Sequence, residues 1–430
     1  MSRIKKDFPL KDSKYFAQQL LEWAQKSSTY LWLDSNNYPQ KYSSFNTALA
    51  LDKLSELKTD YKGSFQKLKE YQQQNKDYIF GYLSYDLKND IENLESKNND
   101  NLAFADLYFF QPKKLFFIKD DTVVLRYDSS CAEEMVSDLK IIKATVLKKQ
   151  YLSNKTSISQ RISKKNYLLK IKKLKKHIRR GDTYETNFCM EYFTEKHHID
   201  PLYTYNKLNE ISKTPFACFF RNNSHFLMSA SPERFARKEG QKIISQPIKG
   251  TIKRGRNTKE DTLLINQLQN DPKERSENIM IVDLVRNDLS KTATKDSVKV
   301  EELCQIYSFK QVHQMTSTVV SRVIKDQNPV DLIKSLFPMG SMTGAPKIAT
   351  MKIIEQLEET KRGVYSGAVG YFTPKDDFDF NVVIRSILYN EKEKYVSFSV
   401  GGAITSKSIP ENEYQECELK AAAMKEVLSN

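Results

Sequence analysis

The sequence predicts an α+β fold in which much of the strand pairing is antiparallel. Short apolar runs bounded by Gly, Pro and polar turns indicate strands near 78–83, 107–110, 122–127, 216–220, 364–372 and 395–400. Helical patterns fall near 15–25, 65–74, 261–269, 330–336 and 348–357. The two kinds of element do not alternate regularly, as they would in a parallel α/β sheet, and no internal repeat is visible.

The composition indicates a globular protein with a sizeable core. The chain has 430 residues, 39% of them hydrophobic, and its 23 Phe and 23 Tyr supply bulk for that core. With only 13 Gly and 13 Pro, disorder and collagen-like architecture are excluded. No apolar run is long enough for a membrane span, and no secretory signal is expected at the N-terminus. Five cysteines without a CxxC pair indicate a reducing cytoplasm.

The net charge of +14 comes from one block of the chain. Residues 140–180 hold fifteen Lys or Arg and no Asp or Glu, so the rest of the chain is close to neutral. Within the block an apolar set at near-helical spacing predicts a solvated helix after a linker: Tyr167, Leu168, Ile171, Leu174 and Ile178. The alternative is a non-catalytic protein that binds a polyanion through this block, but no nucleic-acid motif accompanies it, and no nucleic-acid partner is expected.

The same block divides the chain into three predicted regions. These are an N-terminal region at 1–140, the basic linker and helix at 141–180, and a region at 181–430 that holds the chemical motifs. The length alone allows two or three domains, or one large interleaved domain.

Two Glu-x-x-Glu units supply a possible metal site. One is Glu274 with Glu277, and the other is Glu413 with Glu416, followed by Lys420. On a helix this spacing puts both carboxylates of a unit on one face. Two such faces opposed would offer four carboxylates to a hard cation such as Mg²⁺. The alternative is a pair of solvated surface helices.

A lysine between Pro and Gly is a candidate nucleophile. Lys249 lies in Pro-Ile-Lys-Gly-Thr, at what reads as a strand end, where the backbone restricts the direction of its amine. A lysine becomes nucleophilic when burial or a neighbouring cation lowers its pKa. The alternative is a surface lysine in a turn.

Other residues suit an anionic ligand or acid catalysis. Arg385 offers a planar fork for a carboxylate, and Glu233 is a candidate general acid. The set is completed by Tyr365, His313, Gly401 and Gly402. Residues 340–347 superficially resemble a phosphate loop, but Pro346 separates Gly344 from Lys347, and that interpretation is rejected.

Taken in order, these segments resemble the chorismate-utilising enzyme family. The resemblance runs over about residues 181–420 through SPERF, PIKGT, ERSENIMIVDLVRNDL, FPMGSMTGAPK, GVYSGAVGYF, DFNVVIRS, GGAI and EYQECELK. It implies a large antiparallel-sheet sandwich with outer helices, and an active site that holds Mg²⁺ and chorismate. The family includes anthranilate, aminodeoxychorismate, isochorismate and salicylate synthases.

The resemblance also implies a role for each matched residue. Glu277 and Glu416 match the direct Mg²⁺ ligands, Glu274 and Glu413 the outer pair that acts through water, and Lys420 lies near the metal. Tyr365 and Arg385 match the groups that bind the enolpyruvyl carboxylate. Thr251, Gly401 and Gly402 match substrate-contacting positions. His313 matches the histidine near the C4 hydroxyl, and Glu233 the acid that helps this hydroxyl leave.

Lys249 favours the aminodeoxychorismate synthases, in which this lysine attacks C2 of chorismate and is later displaced by ammonia at C4. Anthranilate synthases of the family carry Ala at this position, and they are the alternative. Glu185 stands where isochorismate and salicylate synthases place a water-activating lysine, so addition of water is not expected. The chain contains no Gly-x-Cys-x-Gly glutaminase motif, so ammonia is expected from a separate glutamine amidotransferase subunit.

Several positions depart from the family pattern. Glu185 replaces a glutamine usual in the aminating enzymes, Asn278 replaces a common His, and Ala403 replaces a Gly. Residues 31–36 are similar to the family's tryptophan-pocket segment, with Asp34 in place of Glu, which leaves binding of tryptophan open.

Overall fold

The computed structural model describes residues 3–148 and 157–429. The strands are β1 (Arg3–Pro9), β2 (Thr29–Asp34), β3 (Thr47–Thr59), β4 (Ile79–Leu83), β5 (Leu107–Lys119), β6 (Thr122–Asp128), β7 (Ser159–Gln160), β8 (Glu185–Thr194), β9 (Phe216–Asn222), β10 (His225–Ser231), β11 (Arg234–Glu239), β12 (Lys242–Gln246), β13 (Ile248–Lys253), β14 (Lys299–Ser308), β15 (Val312–Arg322), β16 (Gly344–Ala345), β17 (Ala368–Phe372), β18 (Phe378–Val382), β19 (Ser386–Asn390) and β20 (Tyr395–Ile404). The helices are α1 (Ser13–Ala24), α2 (Ser64–Asn75), α3 (Lys88–Ile91), α4 (Met135–Ala144), α5 (Lys164–Arg180), α6 (Pro201–Ser212), α7 (Thr258–Asn270), α8 (Pro272–Ser290), α9 (Pro329–Leu336), α10 (Lys347–Leu357) and α11 (Pro410–Ser429). Among these helices, none combines the length and the apolar character needed to cross a membrane.

The strands form one large, hydrogen-bonded antiparallel system. Across the described ranges, the twenty strands are joined and each pairing between them is antiparallel. This confirms the predicted α+β class. Strands from the N-terminal region pair with strands from the motif-bearing region, β2 with β9 and β4 with β17. The three regions predicted along the chain therefore share one sheet system.

Alternate residues of the central strands enter two different hydrophobic cores. On β2, Tyr30 and Trp32 belong to one core, whereas Leu31 belongs to the other. On β9, Phe219 and Phe220 divide in the same way. Because successive side chains of a strand point to opposite faces, the two cores lie on the two faces of these strands. Helices α1, α4, α5, α6 and α11 contribute to the first core, and α2, α8 and α9 to the second.

The basic block contains the predicted helix, α5. Its Tyr167, Ile171 and Leu174 are buried, and Leu168 and Ile178 pack partly buried against the same core. Two of its lysines are anchored: the Lys170 amine donates to Leu357 O at 2.6 Å, and the Lys175 amine donates to the carbonyl of Ser408. The part of the block at 149–156, with Lys149 and Lys155, lies outside the described residues.

One predicted strand begins later than its apolar pattern indicates. The expected strand at 364–372 starts only at Ala368. Gly363 and Ser366 have φ of 55° and 63°, in the left-handed region, and this turn cannot continue a strand. The turn directs the chain from α10 into β17, and Tyr365 lies within it.

A buried ion pair fixes the wall of the cleft described below. The Arg362 guanidinium lies 2.6 Å from Glu358 Oε1, and the two side chains are 3% and 4% exposed. It also donates to Met342 O at 2.6 Å and to Asn187 O at 2.8 Å. The pair thus joins the end of α10 to two backbone segments of that wall.

We expect Arg362→Met to lower the free energy of unfolding by about 3–5 kcal/mol, because it leaves the Glu358 carboxylate buried without its partner. Chemical unfolding followed by circular dichroism measures the change. The matched control is Arg286→Met, which removes an exposed pair with Asp283 and should cost at most about 1 kcal/mol. Equal effects of the two substitutions would contradict the role given to the buried pair.

Candidate active site

A cleft of about 740 Å³ gathers most of the residues predicted to carry the chemistry. Its lining includes Glu233, Lys249, Gly250, Thr251, Glu274, Glu277, Gln314, Ser341, Tyr365, Arg385, Gly401, Ala403, Glu416 and Lys420. These residues come from β13, α8, β15, β20 and α11 and from the segments before β11, β16, β17 and β19. They are far apart in the sequence and span more than half of the motif-bearing region, so it is the fold that brings them together.

The two Glu-x-x-Glu units lie on α8 and α11, as their spacing predicts. Lys273 bridges the helices: its amine is 3.4 Å from Glu413 Oε1 and 3.7 Å from Glu277 Oε1. On α11 the Lys420 amine is 2.5 Å from Glu416 Oε1 and donates to Gly401 O at 2.8 Å. The interpretation of these units as solvated surface helices is therefore wrong for Glu277 and Glu413, which are both buried.

Burial raises the pKa of Glu274, Glu277 and Glu413, and the pKa of Glu277 reaches about 7. Burial also opposes the ionisation of Glu416. The positive charges of Lys420 and its neighbours outweigh this effect, so the pKa of Glu416 is lowered. Burial thus disfavours the charged form of these carboxyls, and a bound cation would favour it.

Two of these carboxylates each have an oxygen available to bind a hard cation. Glu277 Oε1 and Glu413 Oε2 are buried and have no hydrogen-bond partner in the part of the chain that the structure describes. A Cβ at Gly402 would lie 3.4 Å from Glu416 Oε1, so the glycine keeps the backbone close to these oxygens. Within residues 3–148 and 157–429, no three acidic, His or Cys side chains converge tightly enough to hold a metal alone. Mg²⁺ suits this arrangement, because it binds through one or two carboxylates and keeps several waters.

Lys249 points into the cleft from β13 and is paired with Glu185. The Lys249 amine is 2.9 Å from Glu185 Oε1, and the side chains are 11% and 1% exposed. Burial lowers the pKa of Lys249, but the negative charges of Glu185 and Glu277 outweigh it, so the pKa lies above its usual value. Lys249 is thus not the surface lysine of the alternative interpretation.

Asn278 and Gly250 hold this lysine in place. The Asn278 amide donates to Lys249 O and to Met315 O, each at 3.1 Å, and so ties α8 to β13 and β15. Gly250 has φ of 98°, and a Cβ there would lie 3.2 Å from Glu274 Oε2. A side chain at this position would be strained and would press on the carboxylate. The departure at Asn278 therefore has a structural role.

Glu233, in the segment between β10 and β11, is buried and lines the same cleft. Its Oε1 accepts a hydrogen bond of 2.7 Å from Ser341 Oγ. Burial raises the pKa of Glu233 to about 7, although the Ser341 hydrogen bond and the Lys249 charge act in the opposite direction. A carboxyl with this pKa holds its proton in a large fraction of molecules near neutral pH, as a general acid requires.

Arg385 offers an uncompensated positive charge to the cleft. No carboxylate in the described ranges forms an ion pair with its guanidinium, and burial lowers its pKa. Its φ of 54° places a non-glycine residue in the left-handed region, just before β19. Tyr365, whose hydroxyl is 3.7 Å from Cys189 Sγ, lines the same part of the cleft. Together they suit a carboxylate ligand.

The structure does not place His313 in the cleft. His313 is completely buried, with Nε2 2.9 Å from Asp261 Oδ1 and Nδ1 2.8 Å from Ser308 Oγ. The next residue of β15, Gln314, lines the cleft instead, and its Oε1 is buried without a hydrogen-bond partner among the described residues. The reason is strand alternation, which sends neighbouring side chains to opposite faces. That alternation is also the signal by which the sequence could have indicated Gln314.

A second cavity of about 470 Å³ lies away from this cleft and shares no lining residue with it. Leu33, Asp34 and Ser35 line it, together with Arg234 and Asp379. Burial raises the pKa of Asp34 to about 6. The segment that resembles a tryptophan pocket thus borders a cavity.

The fold and the cleft define a class of protein: an α+β enzyme-like scaffold whose site is suited to a small anion and a hard cation. The model of the chorismate binding enzyme family matches residues 28–426. Aminodeoxychorismate synthase component 1 of Bacillus subtilis (strain 168) is 31% identical over 363 residues, which are 81% of this chain and 76% of that protein. The chain belongs to the chorismate binding enzyme family.

Two further similarities concern longer or more distant proteins. The probable chloroplastic aminodeoxychorismate synthase of Oryza sativa subsp. japonica is 41% identical over 269 residues, 62% of this chain. The match spans only 30% of the rice protein. The structure of the menaquinone-specific isochorismate synthase of Escherichia coli superposes with a TM-score of 0.77 at 18% identity, over 99% of this chain and 94% of that one. This last similarity shows the fold.

Proposed function

We propose that this protein is the chorismate-aminating component of an aminodeoxychorismate synthase, which converts chorismate and ammonia to 4-amino-4-deoxychorismate. The observation that carries the proposal is a buried lysine amine, Lys249, in the same cleft as a carboxyl, Glu233, whose pKa is about 7. The reaction needs a nucleophile for C2 and an acid for the leaving hydroxyl at C4. The names of the relatives from Bacillus subtilis and rice support this choice. The product serves para-aminobenzoate and folate synthesis.

The substrate's two carboxylates have separate binding groups. Arg385 and Tyr365 bind the enolpyruvyl carboxylate, and Thr251 and the Gly401 backbone contact the rest of the molecule. Glu277 and Glu416, with Glu274 and Glu413 beside them, would hold Mg²⁺, and the ion would supply positive charge to bind and neutralise the ring carboxylate.

The chain's own groups perform the bond changes. The Lys249 amine attacks C2, the two conjugated ring double bonds shift toward C4, and the C4 oxygen leaves as water with the proton of Glu233. Ammonia then forms a bond to C4, both double bonds shift back, and the bond from C2 to Lys249 Nζ breaks. A proton from the new C4 ammonium group returns to Glu233, which restores the acid.

Ammonia is supplied by a separate glutamine amidotransferase, as the words "component 1" in the name of the Bacillus subtilis relative suggest. All five cysteines are buried free thiols, which supports a reducing compartment, and we propose the cytoplasm.

The test is incubation with chorismate, Mg²⁺ and an ammonium salt, with the products identified by mass spectrometry. The proposal expects 4-amino-4-deoxychorismate as the main product. Anthranilate as the main product would replace it with the alternative function. Absence of turnover, combined with salt-dependent binding of DNA, would favour the polyanion-binding alternative.

The rate of adduct formation should fall as the pH rises above about 7. Glu233 acts in its protonated form, and its pKa is raised to about 7, so the active fraction is nearly complete below this pH and is lost above it. Ser341→Ala removes a hydrogen bond that favours the carboxylate, and it should move the decline to higher pH. Because ammonium also titrates, the rate is measured without ammonia, from the mass of the protein at rapid time points. If Ser341→Ala does not change the pH at which the rate declines, the assignment of Glu233 as the general acid is contradicted.

A further inference from the structure

The Glu185 carboxylate has no part in the reaction described so far, although it touches the reacting lysine. Its Oε1 is 2.9 Å from the Lys249 amine. Its other oxygen, Oε2, is buried without a hydrogen-bond partner among the described residues. Glu185 is the first residue of β8 and is 1% exposed, so solvent does not compete for its bond to the lysine.

The reaction requires Lys249 to lose a proton before it attacks. Paired with Glu185, the lysine is held as an ammonium ion, which has no lone pair to donate. Other carboxyls that act on it are Glu277 on α8, Glu416 on α11 and Glu233 before β11, and the cations Lys420 and Arg385 line the same cleft. None of these three carboxyls forms an ion pair with the Lys249 amine in the described ranges, and their proposed roles occupy them with the metal or the leaving group. Glu185 is in hydrogen-bond contact with the proton that must move.

We propose that Glu185 is a catalytic residue, the general base that takes the proton of Lys249 when this amine attacks and returns it when the amine is expelled. This inference rests on the proposed function and adds to it the group that prepares its nucleophile. A family member with glutamine at this position has no such carboxylate, so the device belongs to chains that carry Glu here.

The proton balance closes with Glu185 included. First the N–H bond of the Lys249 ammonium breaks and the proton passes to Glu185 Oε1, which leaves a neutral amine and a neutral acid. The amine's lone pair then forms the bond to C2, while water leaves from C4 with the proton of Glu233. When ammonia displaces the lysine, the lone pair returns to Nζ and Glu185 gives its proton back.

The test compares the pH dependence of wild type with that of Glu185→Gln, which keeps the shape and the acceptor oxygen but not the base. Adduct formation with chorismate and Mg²⁺ is measured without ammonia between pH 6 and about 8. In the wild type the proton of Lys249 passes directly to Glu185, so deprotonation of the lysine adds no pH dependence to the rate. The variant must lose its proton to water, so the ratio of wild-type to variant rate should fall about tenfold for each pH unit. Glu185→Asp should restore part of the wild-type profile.

A second electrophile separates this inference from the proposed function. Acetylation of Lys249 by acetic anhydride, quantified by peptide mass spectrometry, also needs the free amine but involves no chorismate. The ratio of the wild-type to the Glu185→Gln acetylation rate is expected to fall with pH in the same way. If wild type forms no adduct with chorismate while acetylation shows the change, the proposed function fails, although Glu185 does accept the proton of Lys249.

Two results would overturn the role of Glu185. One is a constant ratio of the two rates at all pH values with both electrophiles. The other is a variant that is faster than wild type throughout, which would mean that Glu185 only restrains the ammonium. Glu195→Gln, an exposed carboxylate just beyond the end of β8, is the matched control and should retain the wild-type profile.

Discussion

Lys249→Ala is expected to abolish formation of 4-amino-4-deoxychorismate, with a loss on the order of 10³-fold or more, as is typical when a covalent nucleophile is removed. The Lys420 amine of the same cleft does not replace it, because Glu416 and Gly401 O hold that amine. Without the covalent step, any remaining turnover should produce a different product, since anthranilate synthases carry Ala here. Product masses and rates with ammonium as nitrogen donor measure both effects.

The control for this variant lies on the same strand. Lys253 is the exposed last residue of β13, and Lys253→Ala should retain the wild-type rate and product. Unchanged aminodeoxychorismate formation by Lys249→Ala would exclude Lys249 as the nucleophile. Circular dichroism establishes that the variant is folded before its rate is interpreted.

Glu277→Gln is expected to reduce amination by about 10²-fold or more at millimolar Mg²⁺, because even outer groups around a metal contribute about 10–100-fold to its affinity. Glu277 is buried on α8, with an oxygen that lacks a hydrogen-bond partner among the described residues. Glutamine keeps the size of the side chain but offers the cation no negative charge. Isothermal titration with Mg²⁺ alone should show weakened binding, and excess Mg²⁺ should restore part of the activity.

Asp283→Asn is the matched control on the same helix. Asp283 is exposed and pairs with Arg286, so its substitution should change neither Mg²⁺ affinity nor rate. Chelation of divalent ions by EDTA should abolish the wild-type activity, and added Mg²⁺ should restore it. Full activity after chelation, or unchanged Mg²⁺ binding by Glu277→Gln, would contradict the assignment of these carboxylates.

The α+β class and much of the cleft were predictable from local patterns. The spacing of the two Glu-x-x-Glu units predicts shared helix faces, and α8 and α11 have these faces in contact through Lys273. What a local pattern does not contain is which faces meet, and here the order of motifs that resembles the family supplied the missing information.

Other features depend on long-range contacts that no local pattern records. The ion pair between Glu185 and Lys249 joins β8 to β13 across 64 positions of the sequence. The turn at Ser366 shortens a strand whose apolar residues continue through it. For His313 the resemblance implied a place in the cleft, but the alternation along β15 gives the cleft to Gln314. Such a difference of one position is decided by the strand register.

The covalent adduct is the central feature of the proposed mechanism, and mass spectrometry of the protein tests it directly. Wild type is mixed with chorismate and Mg²⁺ in the absence of ammonia, quenched, and analysed intact and after proteolysis. We expect a mass increase equal to chorismate less one water, located on Lys249 and lost when ammonium is added. Formation of 4-amino-4-deoxychorismate without any such modification of Lys249 would contradict the mechanism.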